Sequence, residues 1–164
     1  MAKTLLTPKD LADAIGTSES SMRRWIDSGR VRMSRTAGGH RRIELPEALR
    51  FIRDMGLPVV RPDILGLGPT LAGREAGEGD PGAPLASDQS DDERLYGALA
   101  AGDRALARAL IVSWYLAGRS LAAIFDGAVR GALERLGELW TRDRGGILTE
   151  HRATDICIES IHHL

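Results

Sequence analysis

Residues 18–43 read SESSMRRWIDSGRVRMSRTAGGHRRI, and two kinds of periodicity meet in them. Thr17 or Ser18 can cap a helix, and Met22, Trp25 and Ile26 then recur at helical spacing as far as Gly29. Val31-Arg32-Met33-Ser34-Arg35 alternates, Thr36-Ala37-Gly38-Gly39 is turn chemistry, and His40-Arg41-Arg42-Ile43 alternates again. That pattern predicts a two-stranded hairpin. Between Ser18 and Arg42 stand seven Arg and two acids. Solvated surfaces normally mix the signs of charge, so this excess points to a polyanionic partner.

Upstream, Thr7-Pro8-Lys9-Asp10 has an N-cap, a first-position proline and an acid placed for a capping box. Leu6 and Leu11 occupy hydrophobic-staple positions, Leu11 and Ile15 share a face, and Gly16 ends the helix. Two short helices about a Gly-containing turn form a helix-turn-helix pattern. Ser20, Ser21, Arg23 and Arg24 lie in the N-terminal half of the second helix, the part that enters the major groove in such readers. Hydroxyls there allow close backbone approach, and Arg can grip phosphate or reach guanine bidentately. Trp25 is expected in the core. The hairpin, with Arg35, Thr36, Gly39, His40, Arg41 and Arg42, is expected to lie along the DNA backbone or in the minor groove. His40 has no Cys or second His beside it and reads as a wing residue, not a metal ligand. A third helix opens at Pro46 and runs through Ile52.

Helix, turn, Arg-Arg-Trp helix, Gly-Gly-His-Arg-Arg wing and helix, taken in that order over residues 5–55, resemble the MerR-type winged helix-turn-helix. The branch is the one whose wing is shared with excisionase-like proteins. The resemblance implies a transcription regulator that binds double-stranded DNA as a dimer, and so a homo-oligomer.

The net charge of −1 conceals a division. Residues 1–61 carry 12 Lys/Arg against 7 Asp/Glu, residues 62–92 carry 1 against 7, and residues 93–164 carry 9 of each. Gly66–Asp92 holds six Gly and three Pro with neither helical nor strand period, and 62–92 reads as a flexible acidic linker. The chain then divides into a basic head (1–61), that linker, and a neutral module (93–164). Cys157 is the one cysteine and can form no internal disulfide. No apolar run approaches the roughly 20 residues of a membrane span, and the N-terminus lacks the signature of a secretory signal. A cytoplasmic protein without enzyme activity, nucleoid-associated when bound to DNA, is expected.

From Glu93 the pattern is helical. Leu95–Ala101 form one helix, and Asp103 caps a second with Leu106, Leu110 and Trp114 on one face. Ser120 caps a third, with Leu121, Phe125, Ala128, Ala132 and Leu136 in its stripe, followed by Leu139 or Trp140. After Gly145-Gly146 a fourth runs from Ile147 through Ile161. The fold class expected is mainly α: a winged helix-turn-helix with a two-stranded β-wing, a flexible linker and a four-helix bundle.

LGELWTRDRGGILTEHRATD (136–155) resembles the helical cap of cobalamin-binding modules, as found in photoreceptor regulators that use adenosylcobalamin. The features carrying it are Trp140 and, after nine intervening residues, Glu150-His151. The resemblance implies that Trp140 shields the upper face of the corrin from water. It also implies that Glu150 accepts from ribose hydroxyls of the upper ligand, and that His151, adjacent on the same helix, orients that carboxylate or approaches the cobalt. Read from the residues alone, His151 lies on a half-buried face and is structural. Thr141 follows Trp140 where light-sensing relatives tend to carry His, so a bis-histidine adduct is not expected. The Asp-x-His-x-x-Gly motif of the family's Rossmann-like lower half does not occur in residues 1–164. These residues by themselves are therefore expected to cover one corrin face and not to bind cobalamin tightly. Two readings stand: a regulator whose assembly responds to cobalamin or light, and a ligand-independent, excisionase-like DNA-binding protein whose bundle mediates dimerisation or partner binding.

Overall fold

A computed structural model of the chain describes residues 5–67, 90–138, 146–162 and 164. They form two compact units, one built on residues 5–67 and the other on 90–138 and 146–162.

In the first unit Thr7 caps α1 (Pro8–Ala14). Its hydroxyl accepts from the Asp10 amide at 3.0 Å, and the Asp10 carboxylate accepts from the Thr7 amide at 2.7 Å. Leu6 and Leu11, on either side of this capping box, are fully buried, as the staple requires. Ser18, not Thr17, caps α2 (Glu19–Asp27), with its hydroxyl accepting from the Ser21 amide at 3.1 Å. Met22 and Ile26 point into the core. Trp25 is half-buried, with its ring 5.3 Å from that of Phe51 on α3 (Leu45–Asp54). The indole packs onto α3 but stays partly exposed, which falls short of the core place expected for it.

The sheet is ordered β1–β3–β2, with β1 at Leu5–Leu6, β2 at Ser34–Arg35 and β3 at Arg41–Glu44, all antiparallel. The wing hairpin β2–β3 is present and gains a third strand. Leu5 pairs with Glu44 and Leu6 with Ile43, closing the far edge of β3. Two residues are too few to show an alternation, so β1 is visible only through its partner. At the wing tip Gly39 donates to the Thr36 carbonyl at 2.8 Å and has φ of 77°. A tight turn followed by a left-handed residue is the three-residue hairpin loop, and Gly39 adopts that conformation without a Cβ penalty.

Beyond α3 the Val60 and Arg61 amides donate to the Ala14 carbonyl at 2.8 and 3.0 Å, satisfying the open end of α1. The 3-10 turn Pro62–Leu65 follows, with Pro62, Leu65 and Leu67 buried. The head's packing thus runs on into the start of the segment expected as linker. Residues 68–89 of that segment lie outside the described residues.

The second unit is an all-helical bundle: α4 (Asp91–Ala101), α5 (Arg104–Leu116), a composite third helix, and α8 (Gly146–Ile161). Asp103 caps α5 by accepting from the Leu106 amide, and Ser120 caps the third helix by accepting from the Ala123 amide. Two expectations need correction. Leu106 is only half-buried, and α5 buries every residue from Ala109 to Tyr115 in place of a single stripe. Its C-terminal half is thus covered on every side, while Arg104 and Ala105 at its start stay exposed. The third helix begins as α6 (Leu121–Ala123), widens into a π-helical stretch (Ile124–Val129) and continues as α7 (Arg130–Glu138). Leu121 is 43% exposed and Ile124 takes the inward place ahead of Ala128, Ala132 and Leu136. The i→i+5 bonds of the π turn change the helical phase that a uniform 3.6-residue reading assumes.

α4 and α7 approach closely at Gly131, where an added Cβ would stand 3.0 Å from Asp92 Cβ. Arg135 of α7 bonds Asp92 and Glu93 at 3.3 Å each, flanking that contact. Gly131→Leu is expected to destabilise this unit by about 1–3 kcal/mol through overpacking. Helix propensity alone favours replacing glycine by about 1 kcal/mol. Chemical unfolding followed by far-UV circular dichroism separates the two, and a stabilised variant would show that the helices yield. No helix among the described residues is long and apolar enough to cross a membrane.

Candidate functional site

In the first unit α2 and the wing present one basic face. Ser20, Arg23 and Arg24 are exposed on α2, and Ser21 beside them is half-buried and accepts a hydrogen bond from the Ser18 hydroxyl. Arg35, Thr36, Gly39 and His40 are exposed on the wing, and Arg41 and Arg42 are half-buried at its base. Arg23, Arg24 and Arg35 make no ion pair with any described residue.

Arg23, His40, Arg41 and Arg42 converge on a groove of about 290 Å³ whose other wall is the first turn of α1, Thr7 to Lys9. Lys9 adds a cation, and Glu19 is the one acid lining it. The Arg41 guanidinium lies 3.9 Å from the Asp27 carboxylate at the end of α2. The two side chains are 36% and 61% exposed, so this contact is weak and readily exchanged for another anion. Arg42 is steadier, its Nη1 donating to the Arg41 carbonyl at 3.2 Å. Four cations and the His40 imidazole around one concavity can hold phosphate-like oxygens by hydrogen bonds, those from Lys and Arg charge-assisted.

All ten residues singled out from the sequence for this face are on the surface of one unit. Lys9 and Glu19 were missed. No local pattern marks them, because they reach the groove only when α1 folds against the wing.

The second candidate site lies at the N-terminal end of α8. Glu150 and His151 are neighbours there, with His151 Nδ1 3.4 Å from a Glu150 carboxylate oxygen. The expectation of a half-buried His151 is corrected: its side chain is 72% exposed, against 33% for Glu150. Inward places on α8 belong to Ala153, Ile156, Cys157 and Ser160, so residue 151 falls on the solvent side of the helix. Arg152 follows, donating to the Ala100 carbonyl at 3.3 Å and packing its guanidinium over Gly102. The pair therefore stands at the end of the unit that carries the α4–α5 turn. Trp140 lies outside the described residues. Burial pushes the Cys157 thiol up to about 11, so at neutral pH it is a protonated core residue and no thiolate.

A family model described as a B12 binding domain matches residues 92–164, which build the second unit. That unit is similar to helical B12 binding domains. No curated protein and no solved structure matches the chain.

Proposed function

We propose that this chain is a DNA-binding transcription regulator of MerR type, a binding protein and not an enzyme, whose B12-binding helical domain is its effector module. The observation that carries the reading is the convergence of α2 and the wing on one basic groove. Ser20, Ser21, Arg23 and Arg24 would face the major groove, with Arg able to reach guanine O6 and N7. Arg35, Thr36, Gly39, His40, Arg41 and Arg42 would follow the phosphate backbone beside it. One such head binds weakly. Two heads joined in a homo-oligomer on paired half-sites bind far more tightly by effective concentration, so a ligand that changes assembly changes DNA occupancy.

Glu150 and His151 fit an upper-face role toward a corrinoid. Both are accessible at one end of the bundle, the carboxylate as an acceptor for hydroxyls and the imidazole beside it to orient it. Adenosylcobalamin is the proposed ligand, and when bound it supplies a light-sensitive cobalt–carbon bond. A second reading, in which the bundle associates without ligand, is favoured by Ile158 and Ile161, which are 47% and 43% exposed on α8.

Anisotropy titration against a duplex site selected from a random pool tests both. The affinity should fall steeply with salt, and Arg23→Ala or Arg24→Ala should each cost about 1–3 kcal/mol on that site and less on random duplex. A wild-type chain that ignores duplex DNA at low salt sinks the regulator reading. Titrations with and without adenosylcobalamin, in darkness and in light, separate the two: identical curves select ligand-independent association.

A further inference from the structure

Glu47, in the first turn of α3, is a carboxylate whose side chain is only 13% exposed. Its Oε1 accepts from the Arg32 backbone amide at 2.6 Å and from Arg50 Nη2 at 2.6 Å, and its Oε2 accepts from Arg50 Nε at 3.0 Å. Arg50 reaches further, donating through Nη1 to Asp54 at 2.6 Å and through Nη2 to the Arg30 carbonyl at 3.3 Å. The backbone on both sides of Val31, itself 2% exposed, is thus tied to α3. Burial works to raise the Glu47 carboxyl, but the Arg50 hydrogen bond, the Arg32 amide and the charges of both arginines hold it below the usual range. It is ionised at neutral pH.

What this clamp grips matters. Residues 28–33 join the end of α2 to β2, and so join the two arms of the basic face. β3 is held on its far edge by β1 and runs directly into α3. β2 has no such support: it pairs with β3 at two positions, Ser34 with Arg42 and Arg35 with Arg41, and no strand among the described residues pairs with its other edge. The direction in which the wing leaves the body is therefore set where residues 30–32 are fixed.

Building on the DNA-binding reading above, we infer that Glu47 is a positioning residue for DNA recognition. With Arg50 it fixes the base of the wing relative to α2 while touching no DNA itself. Misaligning the two arms weakens binding without removing any cation from the interface, because each arm still carries its own arginines.

The test uses the full chain with Glu47→Gln, Glu47→Ala and Arg50→Lys. Amide hydrogen exchange, read by mass spectrometry without DNA, should accelerate about tenfold or more in peptides covering 28–42. Peptides covering α1 and the second unit should stay unchanged. Affinity for the selected duplex should fall about 5- to 20-fold in Glu47→Ala and less in Glu47→Gln, which keeps an acceptor for the Arg32 amide. The salt dependence should keep its slope, because every cation that meets phosphate is retained. Should Glu47→Ala fail to fold, the Gln and Lys variants carry the same two readouts. Wild-type exchange and affinity in all three variants overturn the inference, as does acceleration spread evenly over residues 5–67, the mark of a merely structural role. A wild-type chain that bound no DNA would instead overturn the regulator reading, and the role in recognition with it. The exchange pattern would then decide on its own whether the clamp orients the wing.

Discussion

Replacing Arg41 and Arg42 together by alanine is expected to weaken binding of any duplex by roughly 30- to 1000-fold at about 0.1 M salt. Each guanidinium would forfeit a charge-assisted hydrogen bond to phosphate worth about 1–2 kcal/mol, and each 1.4 kcal/mol is tenfold. Both side chains are half-buried at the groove, so their stems are already ordered and little further entropy is lost when they grip a phosphate. The Arg41–Asp27 ion pair is long and exposed, so removing it offsets little of the effect. The salt dependence gives the sharper reading. Two fewer neutralised phosphates should flatten the slope of log affinity against log salt by about 1.8. The loss should be alike on selected and random sequences, unlike that of Arg23→Ala or Arg24→Ala. Arg104→Ala, which removes an exposed pair with Glu159 in the second unit, is the control and should leave both quantities unchanged. An unaltered slope in the double variant would place the wing away from the phosphates.

Phe51→Ala should have the largest effect on stability, and through it on binding. Phe51 is 1% exposed and packs its ring against Trp25, so it holds α3 to α2. Truncating a buried Phe costs about 3–5 kcal/mol, from lost transfer energy and the cavity left behind. A head of this size has a total stability of only about 3–9 kcal/mol at 0.05–0.15 kcal/mol per residue. The substitution therefore removes between about a third and all of that stability at 25 °C. Because the second unit has its own core, it should keep its helices and its own unfolding transition. Circular dichroism with tryptophan fluorescence should then report two transitions, with the head's displaced to lower denaturant and DNA binding weakened in step with it. A single transition displaced as a whole would show that the two units unfold as one.

The caps were open to sequence reading because the interactions that make them are local. Thr7 with Asp10, Ser18, Asp103 and Ser120 each accept from an amide three residues on, and the structure had only to choose Ser18 over Thr17. The β2–β3 hairpin was legible for the same reason, since its turn and both strands lie within about ten residues. The arginines of the basic face were legible by composition alone, because charge excess needs no knowledge of geometry.

Other features depended on partners distant in the chain. β1 is a strand only because β3 lies beside it, and Lys9 joins the basic groove only because α1 packs near the wing. Burial around α5 and the phase of the third helix depend on what surrounds them. Hydrophobic spacing assumes one uniform helix with one inward face, and the π turn at Ile124–Val129 and the all-round burial of α5 from Ala109 to Tyr115 each break that assumption. His151 shows the same limit: its place beside Glu150 follows from sequence, and its exposure follows from which face of α8 the bundle covers. The sequence by itself determined the caps, the hairpin and the sign of charge on the head, because each arises from neighbours a few residues apart. The tertiary structure alone decided the groove, the third strand and the Glu47 clamp on Arg32, because these need groups separated by many residues to meet at hydrogen-bonding distance.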